Sequence, residues 1–494
     1  MSLAIERLPA VVIRERTWIP KELVISADKI RADLTIDNGA VRAAEHRGFA
    51  VREDVPREFY LWEENEGFFA VPRAYMPPLR GERDVDYRVV DCTGRRGSIV
   101  GRDAVRLGPH ELQPFDQREG FEALVAPDAP PHGRMFVLRC GGGKTAIAMK
   151  AAHARGGRTL WVTITDALVD QARADIARYL DLHQRRIGHV QAHKQRWQGY
   201  GIAVSTLQTL ALSTSLPAEF WEYWDLVIFD EGDVLGAPAF HKVVPKFRAE
   251  RWVLTATPKR SDGNDELFTM HTGPICYLHT EFDLEPECYF ISTQAGPELL
   301  GYAGWDTLRH QRRVQYAITA KNLLLDERRQ QLIIAEVLKA LSKERTILAV
   351  GDSVEGIATL AQRMRDLNIE AGTVTSHVKR AARREAIKVP PVVCATSKIF
   401  QRGLDRVAFD TLLMTTLTTT NAVFTNQLAG RILRANKDDP DKRPVIVVLT
   451  DVKVEQLRMM AASLAERFTD LGWTVNELGQ KLLAERKAKR KARV

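Results

Sequence analysis

The 494-residue sequence predicts an α/β protein: two tandem parallel-sheet domains behind a small N-terminal β or α+β accessory domain. Three observations carry this. From about Met135 onward, short apolar runs alternate with amphipathic helical stretches; the rhythm stops and then starts a second time; and the first hundred residues lack it. Unbroken apolar strands separated by amphipathic helices are what a parallel sheet covered on both faces requires.

In the first repeat, Met135-Phe136-Val137-Leu138 reads as a strand that leads into a glycine run and a helix from Thr145. Leu160 to Ile164 reads as the next strand, followed by a helix with Leu168, Ala172, Ile176 and Leu180 at i+4 spacing. Leu226 to Phe229 ends in two acids, and Trp252 to Leu254 ends in Thr255-Ala256-Thr257-Pro258. The second repeat opens with Thr346 to Val350, then a helix with Ile357, Leu360, Ala361, Met364 and Leu367 on one face, capped by Asp352 or Ser353. Val392 to Ala395, Thr411 to Met414 and Val445 to Leu449 supply further strands. These patterns set the domains at 106–285 and 310–455, with the seam between Phe282 and Gln311. Ahead of them, 1–105 holds proline-punctuated runs such as Ala10 to Ile13 and Phe68 to Val71. Behind them, 456–494 reads as a helical basic tail with Arg486, Lys487, Lys489, Arg490, Lys491 and Arg493.

Composition narrows the class. Hydrophobic residues make up 45% and charged residues 27%, as in ordinary globular proteins rather than disordered ones. A net charge of +8 suits a polyanionic partner, and many bland basic proteins too. Cys92, Cys140, Cys276, Cys288 and Cys394 lie far apart with no CxxC pair, against a disulfide framework or zinc site. No signal-peptide core and no bilayer-length apolar run occur, so a cytosolic protein (bacterial or phage-infected host) is expected, without membrane partners and monomeric.

The chemistry concentrates at strand ends. Arg139-Cys140-Gly141-Gly142-Gly143-Lys144-Thr145 lies between a strand and a helix, departing from GxxxxGK(S/T) only in having Leu138 at the first glycine. Glycines let backbone N–H groups curl around phosphate oxygens, Lys144 neutralises them, and the Thr145 hydroxyl ligates Mg²⁺. In Asp230-Glu231-Gly232-Asp233, Asp230 is placed to hold Mg²⁺ and Glu231 to take a proton from the attacking water. Gln427-Leu428-Ala429-Gly430-Arg431-Ile432-Leu433-Arg434 puts Arg431 and Arg434 three apart, on one face if helical, as stabilisers of charge on a transferred phosphoryl group.

These segments, in this order, resemble the superfamily 2 helicases and translocases over about residues 105 to 450. CGGGKT is similar to the family's first motif, DEGD to its second, TATP to its third and QLAGRILR to its sixth. The resemblance implies two RecA-like motor domains, ATP and Mg²⁺ as cofactors, and nucleic acid as partner. It also places Gly403 and Asp405, within Gln401-Arg402-Gly403-Leu404-Asp405, at the nucleotide, and Thr396 and Ser397 on nucleic-acid phosphates. Thr165, Ser205 and Thr206 resemble the strand-contacting motifs of the first domain, and Arg260 joins them. Leu112 to Gln117 is similar to the family's adenine-reading segment, with Gln117 on the base edge. LTATPKRSDG and DEGDVLGAPAF resemble the group holding XPB, UvsW and restriction-enzyme motors, with UvsW-like phage helicases nearest in layout. Asp233 stands where that group usually has histidine, still able to accept a hydrogen bond from Gln427.

The resemblance thus implies ATP-dependent unwinding or branch migration of single-stranded, forked or branched DNA, in repair, recombination or replication. Closure of two domains around ATP, through Arg431 and Arg434, would couple hydrolysis to movement. Two alternatives stay open: an RNA or RNA–DNA hybrid helicase, and the motor subunit of a restriction or defence complex. Arg80, Arg83, Arg88, Arg95, Arg96, Arg102 and Arg106 make the end of the accessory domain a candidate grip on duplex or a junction.

Overall fold

The computed structural model describes residues 9–39, 41–42, 53–80, 88–91, 116–126, 133–192, 194–237, 239–257, 264, 266–306, 311–388, 390–397, 408–417, 428–435 and 439–491. The chain divides into two compact units, Met1–Thr280 and Glu281–Val494. No described helix is long and apolar enough to cross a membrane.

In the first unit the described strands build an eight-stranded sheet. Its order is Lys194–Arg196, Gly188–Gln191, Ile202–Thr206, Thr159–Thr163, Leu226–Asp230, Glu250–Thr255, Gly133–Leu138, Ile275–His279. All neighbours run parallel except Lys194–Arg196, which folds back antiparallel at the edge. Because strand side chains alternate, Trp161, Ile228, Trp252 and Leu254 share one core with helices Lys144–Arg155 and Asp166–Tyr179. Leu160, Val162, Val227, Phe229 and Val253 fill the other face with Leu210 and Phe220. Both faces are dry, so the strands had to be apolar throughout.

The front segment is α+β, as expected. A five-stranded sheet in the order Glu63–Glu64, Phe68–Val71, Thr17–Pro20, Ala10–Ile13, Arg88–Asp91 lies beside a hairpin of Thr35–Asp37 and Glu58–Tyr60 and the helix Ala27–Asp33. It is seated on the larger sheet's domain rather than standing apart. Its core of Val11, Ile19, Ile30, Phe59 and Phe69 includes Leu267 of that domain. Two buried arginines pin the seam through backbone carbonyls. Arg73 donates to the carbonyls of Ala249 (2.7 Å), Arg248 (2.6 Å), Phe247 (3.2 Å) and Arg14. Arg251, fully buried, donates to those of His271 (2.7 Å), Phe247 (2.7 Å) and Glu15 (2.5 Å). The boundary at 105, and all of the front arginines except Arg80 and the backbone of Arg88, lie outside the described residues.

The second unit carries a seven-stranded sheet in the order Ala371–Val374, Val392–Thr396, Ile347–Gly351, Thr411–Met414, Val445–Thr450, Glu287–Ser292, Thr474–Val475. Helix Val354–Asp366 forms where its apolar face predicts, and Ser353 is the cap, its Oγ accepting from the Gly356 N–H at 3.1 Å. One expectation changes. Within the seam placed between Phe282 and Gln311, Glu287–Ser292 is already an inner strand of the second sheet, parallel to Val445–Thr450. One of its faces stays open (Tyr289 is 41% exposed), so its sequence lacks the apolar run of its neighbours. The stretch 456–494, expected as a helical basic tail, is helical among its described residues and is packed into the second unit. Helix Glu455–Asp470 buries Leu457, Ala461, Leu464 and Phe468, and Glu477–Lys491 packs beside it through Leu482. Arg486 pairs with Glu466 at 2.7 Å and Lys489 with Glu455 at 2.6 Å, so part of the basic run is neutralised within the unit.

Removing the Arg73 guanidinium strands buried carbonyl acceptors on the larger domain. Arg73→Ala should lower the unfolding free energy by about 3 kcal/mol, since each buried acceptor left unmet costs about 1–3 kcal/mol. Limited proteolysis should then cut the front segment first. Wild-type urea melting and cleavage would show that the arginine does not hold the seam.

Candidate active site

The strand Gly133–Leu138 delivers the glycine loop, and helix Lys144–Arg155 receives it. Leu138 is the last residue of a fully buried strand, packed in the apolar core, so this end of the loop has no use for glycine. The glycines that follow are required by geometry. Gly141 and Gly143 have φ of 83° and 92°, the left-handed region that side chains resist. A Cβ on Gly143 would lie 2.5 Å from Gln117 Nε2. Gln117, on helix Asp116–Val125, donates from that nitrogen to the Gly142 carbonyl at 3.0 Å, so it meets the loop directly. Gly143 caps the following helix with no side-chain acceptor, which leaves the first-turn N–H groups to a ligand. Lys144, 9% exposed, folds back to donate to the carbonyls of Leu138 (3.1 Å) and Arg139 (3.4 Å). Arg139 and Cys140 are buried beside it, and Thr145 is half-buried.

The acid pair sits two strands away in the same sheet. Asp230 ends the strand Leu226–Asp230, and Glu231 follows in the left-handed region with φ of 54°. The Glu231 N–H donates to Asp230 Oδ1 at 3.1 Å. Burial, then the neighbouring Glu231 charge, pushes the Asp230 carboxyl up to about 7, while Lys144 opposes the shift. Glu231 Oε2 is buried with no hydrogen-bond partner. A Cβ on Gly232 would lie 2.1 Å from Val253 Cγ1, so the turn depends on that glycine. Thr255 closes the following turn, its Oγ1 accepting from the Thr257 N–H at 3.0 Å; the Thr257 hydroxyl is buried without a partner.

The strand-contact candidates of the first unit are engaged locally. Thr165 caps helix Asp166–Tyr179 and Thr206 caps helix Leu207–Leu212, each accepting a backbone N–H; Ser205 Oγ donates to the Val190 carbonyl at 2.8 Å. Their strands are neighbours in register, with Thr206 opposite Thr163. In the second unit Thr396 ends the strand Val392–Thr396 and Ser397 follows it, and both hydroxyls are buried without hydrogen-bond partners among the described residues. Residues 430–434 wind through turns rather than a helix, so Arg431 and Arg434 do not share a helical face. The Arg431 N–H bonds the Leu428 carbonyl at 3.1 Å, and two successive N–H groups, those of Ile432 and Leu433, converge on Ala429. Arg260, Gly403, Asp405 and Gln427 lie outside the described residues.

Sequence reasoning missed one polar cluster. Arg329 and Asp451, each 1% exposed at the side chain, pair at 3.0 Å. Arg329 also donates to the Thr415 carbonyl, and Thr293 Oγ1 to Asp451 Oδ1, so three strand ends are tied together. An acid directly after a buried strand, the feature that singled out Asp230, was also present at Asp451.

Comparisons agree with this geometry. The family profile "Type III restriction enzyme, res subunit" matches residues 116–260, the glycine loop and acid pair included. A putative ATP-dependent RNA helicase of Acanthamoeba polyphaga mimivirus is 22% identical over 88% of this chain and 80% of its own length. The DNA 3'-5' translocase XPB2 of Sulfurisphaera tokodaii is 33% identical over 29% of this chain; the chain spans only 31% of that relative. Among solved structures, Dbp5 of S. cerevisiae bound to RNA and ADP BeF3 covers 75% of this chain and 93% of its own at 12% identity and a TM-score of 0.52, a likeness of fold. With these motifs in order along a chain of two parallel-sheet units, and with relatives of this kind, the chain resembles the superfamily 2 helicases, with a likeness to their XPB group.

Proposed function

We propose that this chain couples ATP hydrolysis to movement along DNA, unwinding or remodelling single-stranded, forked or branched substrates. The observation that carries the ATPase half is the pairing of an uncapped glycine loop with a half-buried acid pair whose Glu231 Oε2 has no partner among the described residues. The loop amides and Lys144 hold the polyphosphate, and Gln117 flanks the loop on the side of the base. Thr145 and Asp230 would hold Mg²⁺, which when bound neutralises charge on the phosphates. Glu231 takes the proton of the attacking water as its oxygen bonds the γ-phosphorus and the bond to the β–γ bridging oxygen breaks. Arg431 and Arg434, with Gln427, Gly403 and Asp405, are assigned to the transferred group and nucleotide on motif resemblance, as are Thr165, Ser205, Thr206, Arg260, Thr396 and Ser397 to nucleic-acid phosphates.

DNA is preferred on the XPB-like motif spelling and the archaeal translocase relative. RNA is the second reading, favoured by the viral relative that spans most of the chain. The deciding experiment is ATPase stimulation by single-stranded, duplex, forked and four-way DNA and by RNA, with Glu231→Gln as the blank. Stimulation by forked or branched DNA above RNA is expected; stimulation by RNA alone would reverse the assignment, and a fully active Glu231→Gln would remove the base.

The glycine after the acids has its own test. Gly232→Ala forces a Cβ against Val253, an overpacking worth about 1–3 kcal/mol. Turnover should fall while nucleotide binding holds, because Lys144 and its loop are untouched, and Val253→Ala should restore it. Failure of that second change to rescue would break the link between the contact and the base.

Asp230 makes cation binding pH-dependent. A carboxyl raised to about 7 is neutral below that pH and ligates poorly. Magnesium-dependent ADP binding should strengthen about tenfold per unit as pH rises toward 7, then level off. Asp230→Asn should flatten that profile; an unchanged slope in the variant would assign the titration to another group.

A further inference from the structure

The stretch from Leu182 to Pro217 contains no aspartate or glutamate, in a chain that has 63 of them. It forms the outer edge of the first unit's sheet: the turn Gln184–Arg186, the strand Gly188–Gln191, the edge strand Lys194–Arg196, and Ile202–Thr206. Four cations stand on it, Arg185, Arg186, Lys194 and Arg196. All are exposed, and none makes an ion pair among the described residues. Of the acids on the adjoining helix, Asp166 is engaged by Gln191 Nε2 at 2.5 Å, and Asp170 acts on His189. A further cation, Arg173, leans in to donate to the Gln184 carbonyl at 3.1 Å. Burial lowers the pKa of His189; the Gln191 hydrogen bond opposes the shift, Arg173 and Lys194 add to it, and Asp170 opposes it.

Register shows where these charges lie. Val190 is opposite Ser205, and Lys194 is opposite Gln191. Lys194 is therefore level with Thr206 two strands away, about 10 Å at ordinary strand spacing. Arg196 lies opposite His189, lower on the same edge, and Arg185 and Arg186 precede the strand Gly188–Gln191 at its far end. The line of cations thus starts beside Thr206 and runs about 16 Å down the edge, five residues from the level of Gln191 to Arg186 at about 3.3 Å per residue. That is the length of about five nucleotides along a duplex strand at 3.4 Å each.

We propose that this acid-free sheet edge is a phosphate track, continuing the nucleic-acid path outward from Thr206 with Lys194, Arg196, Arg185 and Arg186 as its contacts. The proposal rests on the helicase reading and extends it to residues outside every motif. Its contacts are to backbone phosphate and carry no sequence preference. Charged edge strands also keep sheets from pairing edge to edge. Arg185 and Arg186 are not on the edge strand, so edge protection does not account for the whole pattern.

Two double variants of the full chain test it: Lys194→Gln with Arg196→Gln, and Arg185→Gln with Arg186→Gln. The probes are a labelled 20-nucleotide oligo-dT and a duplex of equal length, with affinity read against KCl concentration. Each pair should make the log–log slope shallower by about 1.4 on the single strand or about 1.8 on the duplex, from 0.7 or 0.9 per phosphate. ATP binding without polymer should not change. Wild-type slopes in both pairs overturn the track; if sedimentation then shows the variants self-associating, the cations are edge protection. A wild-type chain that binds neither probe nor an oligo-U of the same length would remove the helicase reading, and the track with it.

Discussion

The backbone at Gly232 passes so close to Val253 that no Cβ fits between them, and the placement of both acids follows from that contact. The chain can leave its strand at Asp230, turn left-handed at Glu231 and enter the short helix Gly232–Gly236 only along this path. A non-glycine residue in the left-handed region costs about 1–3 kcal/mol and persists where its surroundings enforce it. Here the enforcement comes from two neighbouring parallel strands, registered Asp230 against Leu254, that fix the ends of the turn. The result is a half-buried carboxylate pair in which one member feels the Lys144 charge and the other keeps an oxygen unpartnered among the described residues. An acid pair on a flexible loop would relax into water and lose both properties.

Most of the fold was legible because both faces of each sheet are dry. Strands such as Leu226–Asp230 and Ile347–Gly351 have no polar alternation to confuse the reading, and Ser353, one of the two caps expected, caps its helix; the Thr165 cap was not read from the sequence. The glycine loop and acid pair were legible for a related reason: their chemistry needs particular residue types at strand ends. What escaped were features set by distant partners. Glu287–Ser292 reads as an ordinary mixed segment because only one of its faces is buried. The helices after residue 455 read as a basic tail because their cations outnumber the buried Leu464, Phe468 and Leu482 that seat them. The arginines at 431 and 434 were spaced for a helix, but the backbone there tightens into turns. Nothing in the residues 428–435 themselves announces that change.

Arginine is used twice as a structural clamp, with opposite logic. Arg73 and Arg251 both donate to carbonyls at the ends of the strand-like segments they join, so they fasten backbone to backbone. Arg329 instead pairs with Asp451 and spends one remaining donor on the Thr415 carbonyl. Guanidinium suits both because its planar fork offers several donors in fixed directions. The first arrangement ties the front segment to the larger domain; the second holds the carboxyl ends of three strands, the region where α/β sheets place their ligands.

The order of strands in the second sheet bears on how the protein is made. Glu287–Ser292 pairs only with Val445–Thr450 and Thr474–Val475, both far downstream. A ribosome therefore releases this strand long before either neighbour exists, and its apolar face, Cys288 and Phe290, must wait uncovered. The sheet can close only once nearly the whole chain has emerged, so the first unit is free to fold during synthesis and the second folds after it. Non-local pairing of this kind folds slowly and exposes strand edges meanwhile. In the newborn chain, the early segment around Phe290 is the stretch most in need of a chaperone.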